Sequence, residues 1–216
     1  MILSDSPKIQ AFNVDCMEFM KDKPDNYYDL AIVDPPYGIG NWCPQNLAPG
    51  SVKITKKVEW NDSPPPEDYF NEVRRVSNRW MFWGANYYNS FDSLGGALVW
   101  YKGGVQDLFS QCEIASISWQ KKIDYVKINW QAGFYRVQQE GEQIHQCQKP
   151  VKLYRWILDR YAKEGDKILD THGGSFSAAI ACHLEGFDLD ICELDEDYFN
   201  DAVKRFKLNT IQEKLF

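Results

Sequence analysis

Asp34, Pro35, Pro36 and Tyr37 come directly after the apolar run Leu30 to Val33, and residues of these types in this order can grip a flat amino group. The run Tyr28 to Val33 is too short for a helix and is stopped by two prolines, so it predicts a buried strand with Asp34 at its carboxyl end. Open α/β sheets bind ligands at that end. Proline fixes φ and has no N–H, and the residue before it is pushed to extended geometry, so the Pro35 carbonyl is left without a ladder partner beside the Asp34 carboxylate. Two acceptors and the Tyr37 ring would then meet one planar ring carrying an NH2 group. A turn that merely ends a strand is the plainer reading, but proline is only about 5% of residues, which makes Asp-Pro-Pro-aromatic rare by chance.

A second cluster runs from Gly165 through Ile168-Leu169-Asp170-Thr171-His172-Gly173-Gly174-Ser175-Phe176-Ser177 to Gly186. It reads as strand, glycine turn and an Ala-rich helix that begins at Ser175 and ends at Gly186. Backbone N–H groups of such a turn can hold a nucleoside or amino-acid moiety, although most glycine turns before helices are ordinary connections. The next strand, Phe187 to Cys192, ends in Glu193-Leu194-Asp195. An acid there commonly accepts the two hydroxyls of a ribose, the role expected of Glu193, whereas Asp195, Glu196 and Asp197 suit a helix N-terminus by charge complementarity.

Together these segments resemble the amino-group DNA methyltransferases that use S-adenosylmethionine, in which Asp-Pro-Pro-Tyr is the catalytic signature. His145-Gln146-Cys147-Gln148-Lys149-Pro150 is similar to the family's His-Pro-x-Gln-Lys-Pro, with Gln146 in place of a proline, and Asn13-Val14-Asp15-Cys16 is similar to its Gly-Asp-Cys opening. With the catalytic tetrapeptide first and the glycines last, the order is that of the permuted β class. Trp60-Asn61-Asp62 and Phe82-Trp83-Gly84-Ala85-Asn86-Tyr87 resemble its small phage-type members. The resemblance implies a Rossmann-like α/β sheet flanked by helices, S-adenosyl-L-methionine as cofactor, DNA as partner and scope for a homodimer. Carried over residue by residue, it implies catalysis by Asp34, Pro35, Pro36 and Tyr37. It also implies a cofactor site of Asp15, Asp34, His145, Gln148, Lys149, Pro150, Asp170, His172, Gly173, Gly174, Ser175 and Glu193. His172 and Phe176 depart from the broader Asp-Pro-Phe-x-Gly-Ser-Gly-Thr pattern, at the floor of the methionine pocket.

The elements that must position these groups alternate between strand and helix, as an α/β sheet requires. Strands are predicted over Ile9–Val14, Tyr28–Val33, Trp80–Trp83, Ala97–Trp100, Cys112–Trp119 and Tyr125–Trp130, and helices over Cys16–Lys21, Pro66–Val76, Lys149–Ala162 and Glu196–Phe206, with a short one from Asn86. Apolar residues at helical spacing, such as Tyr69, Val73 and Val76 or Val151, Tyr154, Leu158 and Tyr161, mark the core faces. Trp100, Trp119 and Trp130 are expected in the core. One domain, 1–216, divides into a catalytic half (1–101) with a lid loop (39–63), a small target-recognition insert (102–143) and a cofactor half (144–216).

A chain of 216 residues can bury one good core. No signal peptide or 20-residue apolar run is visible, and the six cysteines lack metal-ligand spacing, so a reduced, cytoplasmic protein without a metal or membrane span is expected. The net charge of −7 disfavours a protein that coats nucleic acid. Lys53, Lys56, Lys57, Lys121 and Lys122 nevertheless fall in segments expected beside the site, and they are the candidate DNA contacts. The expected reaction is methylation of adenine N6 on a base flipped from the duplex and stacked on Tyr37. Cytosine N4 methylation, an RNA or protein-glutamine methyltransferase, and a relative without turnover are the competing readings.

Overall fold

Leu30 to Val33 are apolar at every position because the strand they form is covered on both faces. Leu30 and Ile32 join one core layer, while Ala31 and Val33 join the other. The computed structural model describes residues 1–40, 61–88, 90–91, 94–103, 110–130, 143–145 and 147–211. Its strands are β1 (Ile2–Asp5), β2 (Lys8–Phe12), β3 (Leu30–Val33), β4 (Trp80–Trp83), β5 (Gly96–Tyr101), β6 (Cys112–Ile117), β7 (Ile123–Lys127), β8 (Lys167–Asp170) and β9 (Asp188–Cys192). The helices are α1 (Cys16–Lys21), α2 (Glu67–Val76), α3 (Val151–Tyr161), α4 (Ser177–Glu185) and α5 (Glu196–Ile211).

The nine strands among the described residues form one sheet in the order β1-β2-β9-β8-β3-β4-β6-β5-β7. From β2 to β4 every neighbour is parallel. β1 pairs antiparallel with β2 at one edge, and β6 pairs antiparallel with β4 and β5. Apolar faces of α3, α4 and α5 cover one side, and those of α1 and α2 cover the other. The two halves read from the sequence are interleaved, since β8 and β9 stand between β2 and β3. Asp29 stitches that junction, donating its N–H to the Lys167 carbonyl at 3.0 Å and accepting the Lys167 N–H on its carboxylate at 2.9 Å.

The Tyr69 and Val151 faces and Trp100 are buried, and Trp119 and Trp130 pack partly buried against the core, as expected. Four expectations change. β1 is a further strand that short alternation in Ile2–Asp5 did not announce, and residues 84–88 form turns where a short helix was expected. The Ala-rich helix begins at Ser177 because Phe176 adopts a left-handed backbone, φ 57°. Finally, the described part of the 102–143 insert is not set apart, because β6 and β7 are strands of the main sheet. Most of the lid loop lies outside the described residues.

Candidate active site

Four adjacent parallel strands, in the order β2, β9, β8, β3, each bring an acid to or just past the carboxyl end: Asp15, Glu193, Asp170 and Asp34. A cavity of about 630 Å3 opens along this edge, a volume typical of a small-molecule site. Asp34 to Tyr37, Asp15, Gly173, Gly174 and Glu193 all line it. The Asp-Pro-Pro-Tyr tetrapeptide and the glycine turn, distant in sequence, therefore face one space.

The Asp34 carboxylate is held from two sides. Tyr37 donates its hydroxyl to Oδ1 at 2.6 Å, and the Lys149 ammonium lies 2.5 Å from Oδ2. The same ammonium reaches Glu113 Oε2 at 3.0 Å and the Tyr37 hydroxyl oxygen at 3.1 Å, which uses all three of its N–H bonds. Glu113 Oε1 pairs with Lys102 at 2.5 Å. Burial pushes the Asp34 carboxyl upward and Glu113 adds to the rise, while Lys149 and Tyr37 pull it back. Glu113 is buried too, but Lys149 and Lys102 hold it at about 2. Lys149, expected in the cofactor wall, lines the cavity and spends its charge on the Asp34 and Glu113 carboxylates.

Tyr37 is fixed by neighbours on every part of the residue. Its N–H donates to Asn61 Oδ1 at 3.0 Å, and Asn61 in turn bonds Gly40 through both backbone and side chain. Its ring stacks on Tyr87 with centroids 4.8 Å apart and an interplanar angle of 17°. Gly84, φ +78°, comes so close that a Cβ there would lie 2.3 Å from the Tyr37 ring. Asn61, Tyr87, Glu113 and Lys102 carry no role that the sequence assigns. Only the Trp60-Asn61-Asp62 and Phe82–Tyr87 likenesses hinted at the first two, and no local pattern reveals a buried ion pair between strands.

The glycine turn departs from its expected form without blocking the cavity. Gly173 packs so tightly that a Cβ would meet the Phe176 ring at 2.6 Å. That ring is fully buried, edge-on to Phe199 at 5.8 Å, and it is not part of the cavity wall. His172 does line the cavity, with Nδ1 2.9 Å from Thr171 Oγ1, whose other neighbour is the Tyr69 hydroxyl at 2.7 Å. Burial pulls the imidazole down to about 4, so it is neutral near pH 7. His145, also lowered to about 4 by burial, forms the facing wall beside Gly174.

Other candidates divide. Ser175 and Gln148 line the cavity, and Gln148 Nε2 is buried without a hydrogen-bond partner among the described residues. Asp15 lines it while its Oδ1 caps α1 through Met17 N and Glu18 N, at 2.7 and 3.3 Å. Glu193 accepts Gly174 N at 2.7 Å and Asp195 N at 2.9 Å. Asp170 and Pro150 stand behind the wall. Asp170 accepts His172 N at 3.0 Å and is pushed up to about 7 by burial, and Pro150 caps α3. Lys121 and Lys122 need a correction. Because β6 runs antiparallel to β4, with Ala115 opposite Trp83 and Ile117 opposite Met81, the turn they occupy lies at the opposite edge of the sheet from Asp34. Lys53, Lys56 and Lys57 lie outside the described residues.

The family model described as DNA methylase, that of the N6 and N4 amino-methylases, matches residues 98–204. Residues 98–204 belong to this family. The matched span begins in β5 and ends in α5, so it holds Glu113, Lys149, the glycine turn and Glu193. No curated protein matches the chain. Among solved structures, the M1.HpyAVI–SAM complex shares 16% identity over 91% of this chain and 99% of that one, with a TM-score of 0.59. The cytosine-N4-specific PvuII DNA methyltransferase shares 14% over 92% and 86%, with a TM-score of 0.58. TTHA0409 of Thermus thermophilus, solved with S-adenosyl-L-methionine, shares 16% over 93% of each chain, with a TM-score of 0.57. At these identities the likeness establishes the methylase fold.

Proposed function

We propose that this DNA methylase transfers a methyl group from S-adenosyl-L-methionine to the N6 amino group of adenine in DNA. The observation that carries the reading is the single cavity shared by Asp34-Pro35-Pro36-Tyr37 and the glycine turn with Glu193. The wall suits the cofactor: Glu193 offers carboxylate oxygens to a ribose, and the partnerless Gln148 Nε2 offers a buried donor to an acceptor. When bound, the cofactor supplies an activated sulfonium methyl, so the protein contributes position and electrostatics.

Asp34 accepts an N–H bond of the target amine. A carboxylate has about four lone-pair sites, so the bonds from Lys149 and Tyr37 leave room for it. That bond and one to the Pro35 carbonyl draw the nitrogen towards tetrahedral geometry and orient its lone pair. Tyr37, held by Asn61 and Tyr87, presents a rigid ring for stacking the extruded base. Once the nitrogen has gained its methyl group, Asp34 can carry away the proton. Lys53, Lys56 and Lys57 supply phosphate contacts, and the reaction takes place in the cytoplasm. No described helix is long and apolar enough to cross a membrane.

Asp at the first position of the tetrapeptide, by the family resemblance read in the sequence, favours adenine over cytosine. The test is incubation of duplex oligonucleotides with tritiated cofactor, followed by nucleoside analysis. Label in N6-methyladenine is expected, and Asp34→Asn should lower the rate by at least about 100-fold. Label in N4-methylcytosine would overturn the base assignment, and no label in any DNA would overturn the function.

A further inference from the structure

Glu113 and Lys102 are nearly buried charges that the mechanism above does not use. Their side chains are 19% and 15% exposed, and neither belongs to the described cavity wall. A ligand in the cavity is therefore not what they serve. Lys149 carries its ammonium on a flexible four-carbon stem, and it stands between two carboxylates that compete for it, Asp34 at 2.5 Å and Glu113 at 3.0 Å. Lys102 lies 2.5 Å from the other Glu113 oxygen.

We propose that Lys102 is a positioning residue that acts through Glu113: by neutralising Glu113 it leaves the Lys149 ammonium committed to Asp34, the carboxylate that meets the target amine. Glu113 anchors the ammonium sideways, and Lys102 keeps Glu113 from drawing it away. Two anions and two cations sum to zero, which is the condition for burying four charges together. The part played by Asp34 in transfer rests on the function proposed above, whereas the coupling among the four charges does not.

The other titratable groups around Asp34 are uncharged or acidic. Tyr37 comes from its own loop, Tyr88 from the 84–88 turns, Cys147 from the segment before α3, Tyr154 from α3 and Asp170 from β8. Burial pushes Cys147 up to about 12 and the tyrosines upward, so none of them supplies positive charge.

The test is a carbon-13 NMR titration of the full chain with labelled aspartate, the Asp34 signal being assigned by its loss in Asp34→Asn. Lys149→Met should raise the Asp34 midpoint by about 1 to 3 pH units, the effect of removing an opposite charge at contact. Lys102→Met should raise it by about 1 unit, although Lys102 pairs with Glu113 and not with Asp34, and Glu113→Gln should lower it. In a Glu113→Gln background the Lys102→Met shift should vanish, the signature of action through an intermediate. Should Lys149→Met fail to fold, the Lys102 and Glu113 variants decide alone, with Lys102→Gln as a milder replacement. No shift on Lys102→Met, or a shift that persists in full without Glu113, overturns the proposal. A wild type that titrates this way yet methylates no DNA would instead remove the function and leave the coupling standing.

Discussion

Phe176 shows how a single residue can break a sequence rule and keep the site. A non-glycine residue in the left-handed region costs about 1–2 kcal/mol, yet burying a phenylalanine ring contributes about 3–5 kcal/mol, so the ring wins. Phe176→Gly should therefore relax the backbone but still lower stability by about 2 kcal/mol, read from the denaturant midpoint. His172 makes a different claim. Its folded value of about 4 lies below the 6.5 of the unfolded chain, so the unfolded state binds the extra proton. The stability it contributes is present above pH 6.5 and is lost as the pH falls towards 4. His172→Phe should leave Thr171 and Tyr69 bonded to each other, and thermal melts should show the variant losing less stability than wild type across that interval.

Elements explain what the sequence disclosed and what it withheld. Strand β3 was legible because four buried apolar residues meet two prolines, and α2 and α3 because their apolar residues repeat at helical spacing. β1 was not, since an edge strand half exposed on both faces carries no hydrophobic signature. The acids Asp15, Asp34 and Glu193 could be placed at strand ends from local pattern, but Glu113 sits on β6 and Lys102 just past the end of its antiparallel neighbour β5, a pairing that no local window encodes. Lys121 and Lys122 were misplaced for the same reason: strand direction, not chain position, decides which edge a turn occupies. At this scale Asn61 is the joint between the catalytic loop and the segment before α2, and Asn61→Ala unpairs the Tyr37 N–H. The expected outcome is a stability loss of about 1–3 kcal/mol together with at least a tenfold fall in methyl transfer, and unchanged transfer would show that the Tyr37 loop needs no such pin.

Across the whole molecule, β8 and β9 separate β2 from β3, so the residues before the 131–142 connector cannot assemble the central sheet unaided. A chain cut within that connector should yield two pieces that bind S-adenosyl-L-methionine when mixed and not singly, as titration calorimetry would register; binding by either piece alone would refute the interdependence. The net charge of −7 makes a further expectation measurable: DNA affinity should fall with salt along a shallow slope, because few phosphates can be neutralised by so acidic a protein. The interleaving also has a bearing on biosynthesis. The ribosome releases the Asp-Pro-Pro-Tyr ribbon early and the two ribbons that stand between it and β2 late, so a nascent polypeptide must hold open a gap two strands wide until β9 emerges. Such long-range closure is slow, and the four acids at the strand ends come together only after β8 and β9 have been made.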